Sequence, residues 1–534
     1  MSFVGHPINI SAELTWESLS PHRITVRLVQ TGQDGRPDQV LDTRPADVSD
    51  TGKQTVTFSV KNDDAGFYRY AIVTDPLDEE FNKQNNRDQT DVITLKEKIR
   101  ILLVEGNPYW ETKYLVQFLQ KDESVDIKSI FMLTRGKAFE IGKVDSAAAA
   151  DTESLRFPET IEELQKYNVV ILGQDVRFLI EPRHATLLES YLYDHGGALL
   201  FARGKPSAGE FPQLAKLEPI VWGNPLAAQS ESARGREMKP TELGVQLLLF
   251  QNTPQQPLAE AMRILPPVSP RHQVERLKSF AEVLAYTVSG AEEIPAVVVR
   301  KMGKGVVATV NAEGLWRWDF LPPRLKQYQG FYPTFWGQLI RWMALRSDFL
   351  PGQNISFRSS GLVFRPGQPV QFTVMRRFQA GPPPQLAIRV YDGTEVVQTL
   401  IPTPSRANVN VWHALCFLET PEAVEARHYE AKLFDGDTAF DKMTIALTVK
   451  PRASETTELS ADPEYLDSLA RQTGAKLVRP DEINGVIAEL EKDYSPSARE
   501  RKEWRLAWDS AWFLLAAAAC VAGEWTWRRR KGLL

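Results

Sequence analysis

Residues 99–121, IRILLVEGNPYWETKYLVQFLQK, decide the fold. IRILLVE is a short, continuous apolar run, the pattern of a strand buried on both faces of a parallel sheet. The break at Gly106-Asn107-Pro108 follows, and then Tyr114, Leu115, Phe118 and Leu119 recur at the spacing of one helix face. The unit repeats downstream. VDIKSIFML (125–133), NVVILGQ (168–174) and ALLFARG (198–204) read as strands. Helices are expected near Pro158–Tyr167 and over 181–197, the second opened by Pro182 and closed by Gly196. Such alternation predicts an α/β doubly wound sheet. IPAVVVRKMGKGVVATVN (294–311) reads as a hairpin, YPTFWGQLIRWMALR (332–346) as a closing helix, and 207–290 as an insertion.

Both flanks of this region are rich in strand signals. ITVRLV (24–29), TVTFSV (55–60), FYRYAIV (67–73) and DVITL (91–95) are separated by turn clusters, which predicts a β-sandwich over 1–97. In that module, Asp64–Tyr70 reads as the start of a late strand with an aromatic at its corner. From 347 to 451, GQPVQFTVM, QLAIRVYDG, HYEAKLF and MTIALTV predict a second sandwich. Residues 452–498 read as a small α/β appendage: a helix and strand in DPEYLDSLARQTGAKLV, then a helix in INGVIAELEK. The second sandwich can be an analogue of the first, although no sequence repeat is visible.

The tail carries a different signal. Residues 504–527 are expected to form a transmembrane helix, followed by a basic tail at 528–534. The stretch from Leu506 to Trp527 would span roughly 33 Å as a helix, close to a bilayer's hydrocarbon thickness. Trp504, Trp508 and Trp512 mark one edge, and Trp525 and Trp527 the other, as in interfacial aromatic belts. A buried core helix is the competing reading, because the uncharged run from Ala511 to Gly523 is only 13 residues. Arg499, Arg501, Lys502 and Arg505 before the helix balance Arg528, Arg529, Arg530 and Lys531 after it, so charge sets no orientation.

Composition narrows the function classes. Net charge is −5, which disfavours a nucleic-acid partner. The seven histidines make no HxH or HExxH spacing, so zinc has no support. Asp75, Asp78, Glu79, Asn82 and Asp88 offer oxygen ligands for Ca²⁺, but their spacing is that of a solvated loop and not of an EF-hand. GALLFARGK (197–205) lacks Walker spacing and has Pro206 where Ser or Thr is needed. Ser207 lacks a nucleophile elbow, and no dinucleotide fingerprint follows Leu102–Gly106. No cofactor is expected. Trp316, Trp318, Trp336 and Trp342 read as core residues at a domain junction.

Ligands of open α/β sheets bind at the carboxyl ends of strands. Here those ends carry Glu105, Asn107, Trp110 and Glu111, then Gln174, Asp175 and Arg177, then Arg203 and Lys205. Glu105, Asn107, Trp110, Glu111, Asp175 and Arg203 form the candidate ligand cleft. The alternative is a set of paired or solvated charges, with Trp110 packed under the sandwich.

IRILLVEGNPYWETKYL, YNVVILGQ, HGGALLFARG, MGKGVVATVNAEGLWRW, YPTFWGQLIRW and GEWTWRRRKGLL together resemble bacterial membrane proteins with a class I glutamine amidotransferase-like domain. These are related to aerotolerance-operon and von Willebrand factor A domain membrane proteins. The resemblance spans residues 20 to 534 and is most specific at Trp-Arg-Trp and at the Glu-Trp…Arg-Arg tail. It implies a flavodoxin-like parallel sheet between two immunoglobulin-like β-sandwiches. It also implies a bacterial inner-membrane protein with its soluble part extracytoplasmic, and MoxR-type ATPases and von Willebrand A proteins as partners. Active amidotransferases place a nucleophilic Cys on a strand-to-helix elbow, supported by His and Glu. The comparable elbow, Phe201-Ala202-Arg203-Gly204, has none, and residues 99–345 contain no Cys. MSFVGHPINIS carries no signal-peptide pattern, whereas longer relatives carry hydrophobic helices before the first sandwich, so Met1 is expected to lie downstream of the parent's true start.

Two functions follow as expectations. One is a non-enzymatic envelope scaffold or interaction module with a degenerate amidotransferase-like domain. The other is a hydrolase or small-ligand sensor using paired carboxylates in the cleft.

Overall fold

The computed structural model describes residues 2–32, 37–78, 80, 83, 85–134, 137–142, 156–206, 212–226, 235–247, 249–250, 258–351, 353–377, 385–406, 409–418, 427–449, 463–478, 482–493 and 510–532. It divides into two compact units, residues 1–458 and 459–534.

The chain opens with one continuous five-stranded sheet. It comprises β1 (Ser2–Phe3), β2 (Pro7–Gln30), β3 (Gln39–Lys61), β4 (Gly66–Thr74) and β5 (Arg87–Leu95), in the order β1-β5-β4-β2-β3. The β2–β3 hairpin is very long, and its register shifts between Trp16 and Leu19 and again between Leu19 and His22. Such irregularities bend a ribbon. Ile10, Val56 and Phe58 from one end of the hairpin thereby share a core with Val26, Leu28 and Ala46 from the other. Tyr68 donates to the carbonyl of Asp64 at 2.9 Å, the aromatic corner read from the sequence. One sheet folded on itself replaces the expected two-sheet sandwich.

A nine-stranded sheet follows. Its first half holds β6 (Ile99–Glu105), α1 (Trp110–Lys121), β7 (Val125–Thr134), β8 (Lys137–Gly142), α2 (Ile161–Leu164), β9 (Val169–Leu172), α3 (Pro182–Tyr193) and β10 (Ala198–Phe201). Its second half holds α4 (Pro212–Leu217), β11 (Ile220–Pro225), β12 (Glu237–Pro240), α5 (Glu242–Gln246), α6 (Leu258–Ile264) and β13 (His272–Leu277). It ends with β14 (Ala281–Ser289), β15 (Glu292–Met302), β16 (Gly305–Val310) and α7 (Phe331–Arg346). The strand order is β12-β14-β15-β16-β10-β9-β6-β7-β8, while β11 and β13 pair separately. Only the run β16-β10-β9-β6-β7 is parallel; β8 at one margin and β12, β14 and β15 at the other are antiparallel. The central strands are buried on both faces, as their unbroken apolar sequences require. Trp318 and Trp336 are buried in the core on one side of this sheet.

The third module has two sheets around one core. β17 (Ile355–Ser359), β18 (Val363–Phe364), β19 (Pro369–Arg376), β20 (Leu386–Asp392) and β21 (Glu395–Leu400) are followed by β22 (Thr403–Pro404), β23 (Val411–Phe417), β24 (Arg427–Asp435) and β25 (Thr438–Val449). They form the sheets β17-β19-β23-β22 and β18-β25-β24-β20-β21. Phe357, Phe372, Ile388, Trp412 and Leu447 fill the space between the two sheets.

These arrangements overturn the expected architecture. The protein is mostly β, its central sheet is mixed, and it is not a flavodoxin-like parallel sheet between two sandwiches. In the second unit α8 (Pro463–Gln472) and α9 (Ile483–Asp493) are helices, but Ala475–Val478 form no strand. α10 (Ala511–Arg530) includes Glu524 and Arg528–Arg530 among its 20 residues. Among the described residues no helix is long and apolar enough to cross a membrane, which corrects the transmembrane helix expected over 504–527. The uncharged run of 13 residues spans only about 20 Å of helix. Trp504, Trp508 and the basic residues 499–505 lie outside the described residues.

Candidate functional site

Because β6, β9, β10 and β16 run parallel, their carboxyl ends open on one side of the sheet. Glu105, the last residue of β6, is completely buried there. Its Oε1 accepts from the amides of Gln174 (2.8 Å) and Asn107 (3.2 Å); its Oε2 accepts from Thr112 Oγ1 (2.5 Å) and Arg203 Nη1 (3.3 Å). Burial pushes the carboxyl above its ordinary range, with Arg203, Thr112 and the two amides acting against that push. Two glycines make room for this packing. A Cβ on Gly173 would strike the Glu105 carboxylate, and one on Gly106 would strike the Asp175 carbonyl.

Arg203 stands at the elbow after β10 and is itself buried. It donates to the Asn107 carbonyl at 3.0 Å, pairs with Glu313 at 3.2 Å, and lies 5.0 Å from the centre of the Tyr109 ring. Glu313 also pairs with Arg271. Asn311 Oδ1 accepts from the amides of Arg271 (3.2 Å) and His272 (3.3 Å), which fixes the loop before β13. A chain of charges, Glu105–Arg203–Glu313–Arg271, therefore runs from the buried sheet toward the surface.

Glu111 lies in the first turn of α1 and is buried. Its oxygens accept from the amides of Gly314 and of Trp316, the latter at 3.1 Å. Burial pushes its carboxyl up to about 7, and the two amides oppose the rise. The space between Glu105, Glu111, Thr112 and Arg203 is a cavity of about 10 Å³, room for about one water molecule.

Of the six sequence-predicted site residues, Glu105, Asn107 and Arg203 converge, and Glu111 meets Glu105 and Arg203 across the small cavity while its own hydrogen bonds go to Gly314 and Trp316. Asp175 does not join them. It adopts a left-handed backbone (φ 50°) and lies 3.8 Å from Arg177. Trp110 does not line the small cavity. Its ring is 47% exposed and stacks on Trp316, with centroids 5.8 Å apart; Tyr114 stacks on Trp316 at 5.5 Å. Lys113 covers Trp110 at 4.6 Å, and Tyr109 beside it is 48% exposed. Phe178 and Phe320, on loops after β9 and β16, are also exposed. The outer face of the carboxyl ends is thus aromatic, above a charged and closed interior. Sequence reasoning missed Glu313, Arg271, Asn311 and Tyr109. Tyr109, Asn311 and Glu313 lie just beyond the ends of β6 and β16 and so carried the same positional signal; Arg271 carried none.

The Ca²⁺ alternative finds no support among the described residues. Asp75 pairs with Arg27, and no group of three or more His, Cys, Asp or Glu side chains could hold a metal; Glu79 and Asn82 lie outside those residues.

No protein-family model matches the chain, and no curated protein does. Solved structures give partial likenesses. The CARDB domain of a Pyrococcus furiosus protein, in complex with di-metal ions, is 17% identical over 18% of this chain and 84% of its own, with a TM-score of 0.16. A Listeria innocua beta-glucosidase in complex with glucose is 12% identical over 17% of this chain and 14% of its own, at 0.14. Trypsin-activated alpha-2-macroglobulin from Escherichia coli is 8% identical over 83% of this chain and 24% of its own, at 0.13. At such scores these likenesses carry no argument about fold or function.

Proposed function

We propose that this chain is a non-enzymatic interaction module and that the carboxyl-end face of its central sheet is a contact surface for another protein. One observation carries the reading. The carboxylates that catalysis would need are spent on internal donors, with both oxygens of Glu105 and of Glu111 accepting hydrogen bonds from the protein itself. Arg203 fills the elbow where the resembled amidotransferases keep a thiol, and residues 99–345 contain no Cys, so no amidotransferase chemistry is assigned to this sheet end. Outside this clamp lie Tyr109 and Trp110, half exposed and held in place by Trp316, Tyr114 and Arg203. Rigid, exposed tryptophan and tyrosine beside arginine is the composition of binding hot spots. The resemblance supports a place in the cell envelope, with MoxR-type ATPases and von Willebrand A proteins as the partner class.

The test is site-specific photo-crosslinking in cells that make the protein, with a benzophenone amino acid at position 110 and, as a control, at exposed Val397. Discrete adducts at 110, absent at 397 and lost with Tyr109→Ala, are expected. Absence of adducts at 110, or identical adducts at both positions, refutes the reading.

A further inference from the structure

A second surface, away from the aromatic face, is built from unfinished sheet margins. The N-terminal and C-terminal modules share one device. In each, a two-residue strand pairs in parallel with the end of the module's last strand: Ser2 and Phe3 with Thr94 and Leu95 of β5, Val363 and Phe364 with Thr448 and Val449 of β25. Beyond those residues, among the described residues, the outer margins of β5 and β25 have no neighbouring strand in their sheets. Both margins line the same groove, a cavity of about 410 Å³, together with β17 and the end of α7. That volume lies within the range of ordinary ligand sites.

The chemistry of the groove selects its occupant. Ile93, Phe357, Ile445 and Ala446 make its walls apolar, and Leu362 and Val363 stand 60% and 55% exposed at its mouth. Its acids are already neutralised: Asp91 pairs with Arg69 at 2.8 Å and Asp348 with Arg358 at 3.4 Å. A charged ligand gains no complement here, so an uncharged one is favoured. A compact hydrocarbon would cover the walls but leave the strand margins, with their rows of amides and carbonyls, unanswered. An extended polypeptide answers both, because its backbone pairs with the margin while alternate side chains enter the apolar walls. It would also continue the parallel line that β18 begins on β25.

We infer that this groove accepts an uncharged, extended strand of a partner protein by addition to the open margin of β25. The aromatic face plays no part in this, so either reading can fail alone. The test is selection from a displayed library of random peptides of about six residues, the usual length of a strand. The full chain and a Leu362→Glu/Val363→Glu variant are panned in parallel. Both replaced side chains are exposed, so folding should persist, and circular dichroism checks it. Enriched peptides should be neutral, poor in proline and alternately apolar, and should bind the variant about tenfold more weakly. They should slow amide exchange in Thr444–Ala446. No enrichment, equal enrichment on the variant, or protection confined to other segments would overturn the inference. So would a self-associated dimer, seen by sedimentation, that depends on Leu362 and Val363, because it would make a second copy the occupant.

Discussion

Replacing Glu111 by Gln should remove a pH dependence built into the attachment of α1 to the turn after β16. The Glu111 carboxyl is pushed up to about 7 by burial, against about 4.3 for a free glutamate. A raised acid favours folding while it holds its proton. Its contribution is complete below about pH 4.3 and is lost as pH climbs to about 7. At about 1.4 kcal/mol per unit, the loss between about pH 5 and about pH 8 is about 2 to 3 kcal/mol. Glu218, also pushed up to about 7 by burial, acts in the same direction. His272, pushed down to about 4 by burial and by Arg271 and Lys205, acts in the opposite one. The difference between wild type and Glu111→Gln therefore isolates Glu111. The assay is hydrogen exchange of the 110–121 segment, corrected for intrinsic rates and expressed as an opening free energy. The variant should gain about 2 to 3 kcal/mol on wild type between those pH values. A pH-independent difference, or one of opposite sign, refutes the argument that burial governs this carboxyl.

Asp122 is held well below the usual carboxylate range by His6, Ser124 and Arg341, against the effect of its burial. Its contribution persists at neutral pH and is lost only under strongly acid conditions. Asp122→Asn should cost about 3 kcal/mol at pH 7, because Arg341 would be left buried without its counter-charge; urea unfolding measures this. Gly173→Ala should destabilise by about 2 kcal/mol or more, since four donors hold the Glu105 carboxylate in the added methyl's path. An unchanged unfolding midpoint would show that the carboxylate can move aside.

The elements legible in the sequence were those whose signal is local. The apolar runs at 99–105, 169–172 and 198–201 are parallel strands, and the repeat of Tyr114, Leu115, Phe118 and Leu119 is a helix. The β15–β16 hairpin was also readable, through Met302 to Gly305. The missed features are non-local. Short strand signals in 1–97 could not show that bulges join them into one folded hairpin. Residues 207–290, read as an insertion, supply β12 and β14 to the antiparallel margin that makes the sheet mixed. In the tail, the tryptophans and arginines gave the signal of a spanning helix, but Glu524 and the arginine run fall inside α10, which is too short and too polar to cross a membrane. Glu105 and Arg203 were found because both stand at the carboxyl ends of buried strands. Arg271 was not, because the loop before β13 brings it back across the sheet end.

We read the charges at the sheet's carboxyl ends as a structural clamp. The stabilities of Arg203→Met, Glu105→Leu and the double variant test it most directly. If the clamp is structural, Arg203→Met should cost about 3 to 5 kcal/mol, because it strands a buried carboxylate, and adding Glu105→Leu should restore much of that loss. If the charges are kept for a ligand, removing them should leave stability unchanged or raised, the usual response of a functional site. A rise in the urea midpoint of Arg203→Met alone would contradict the account.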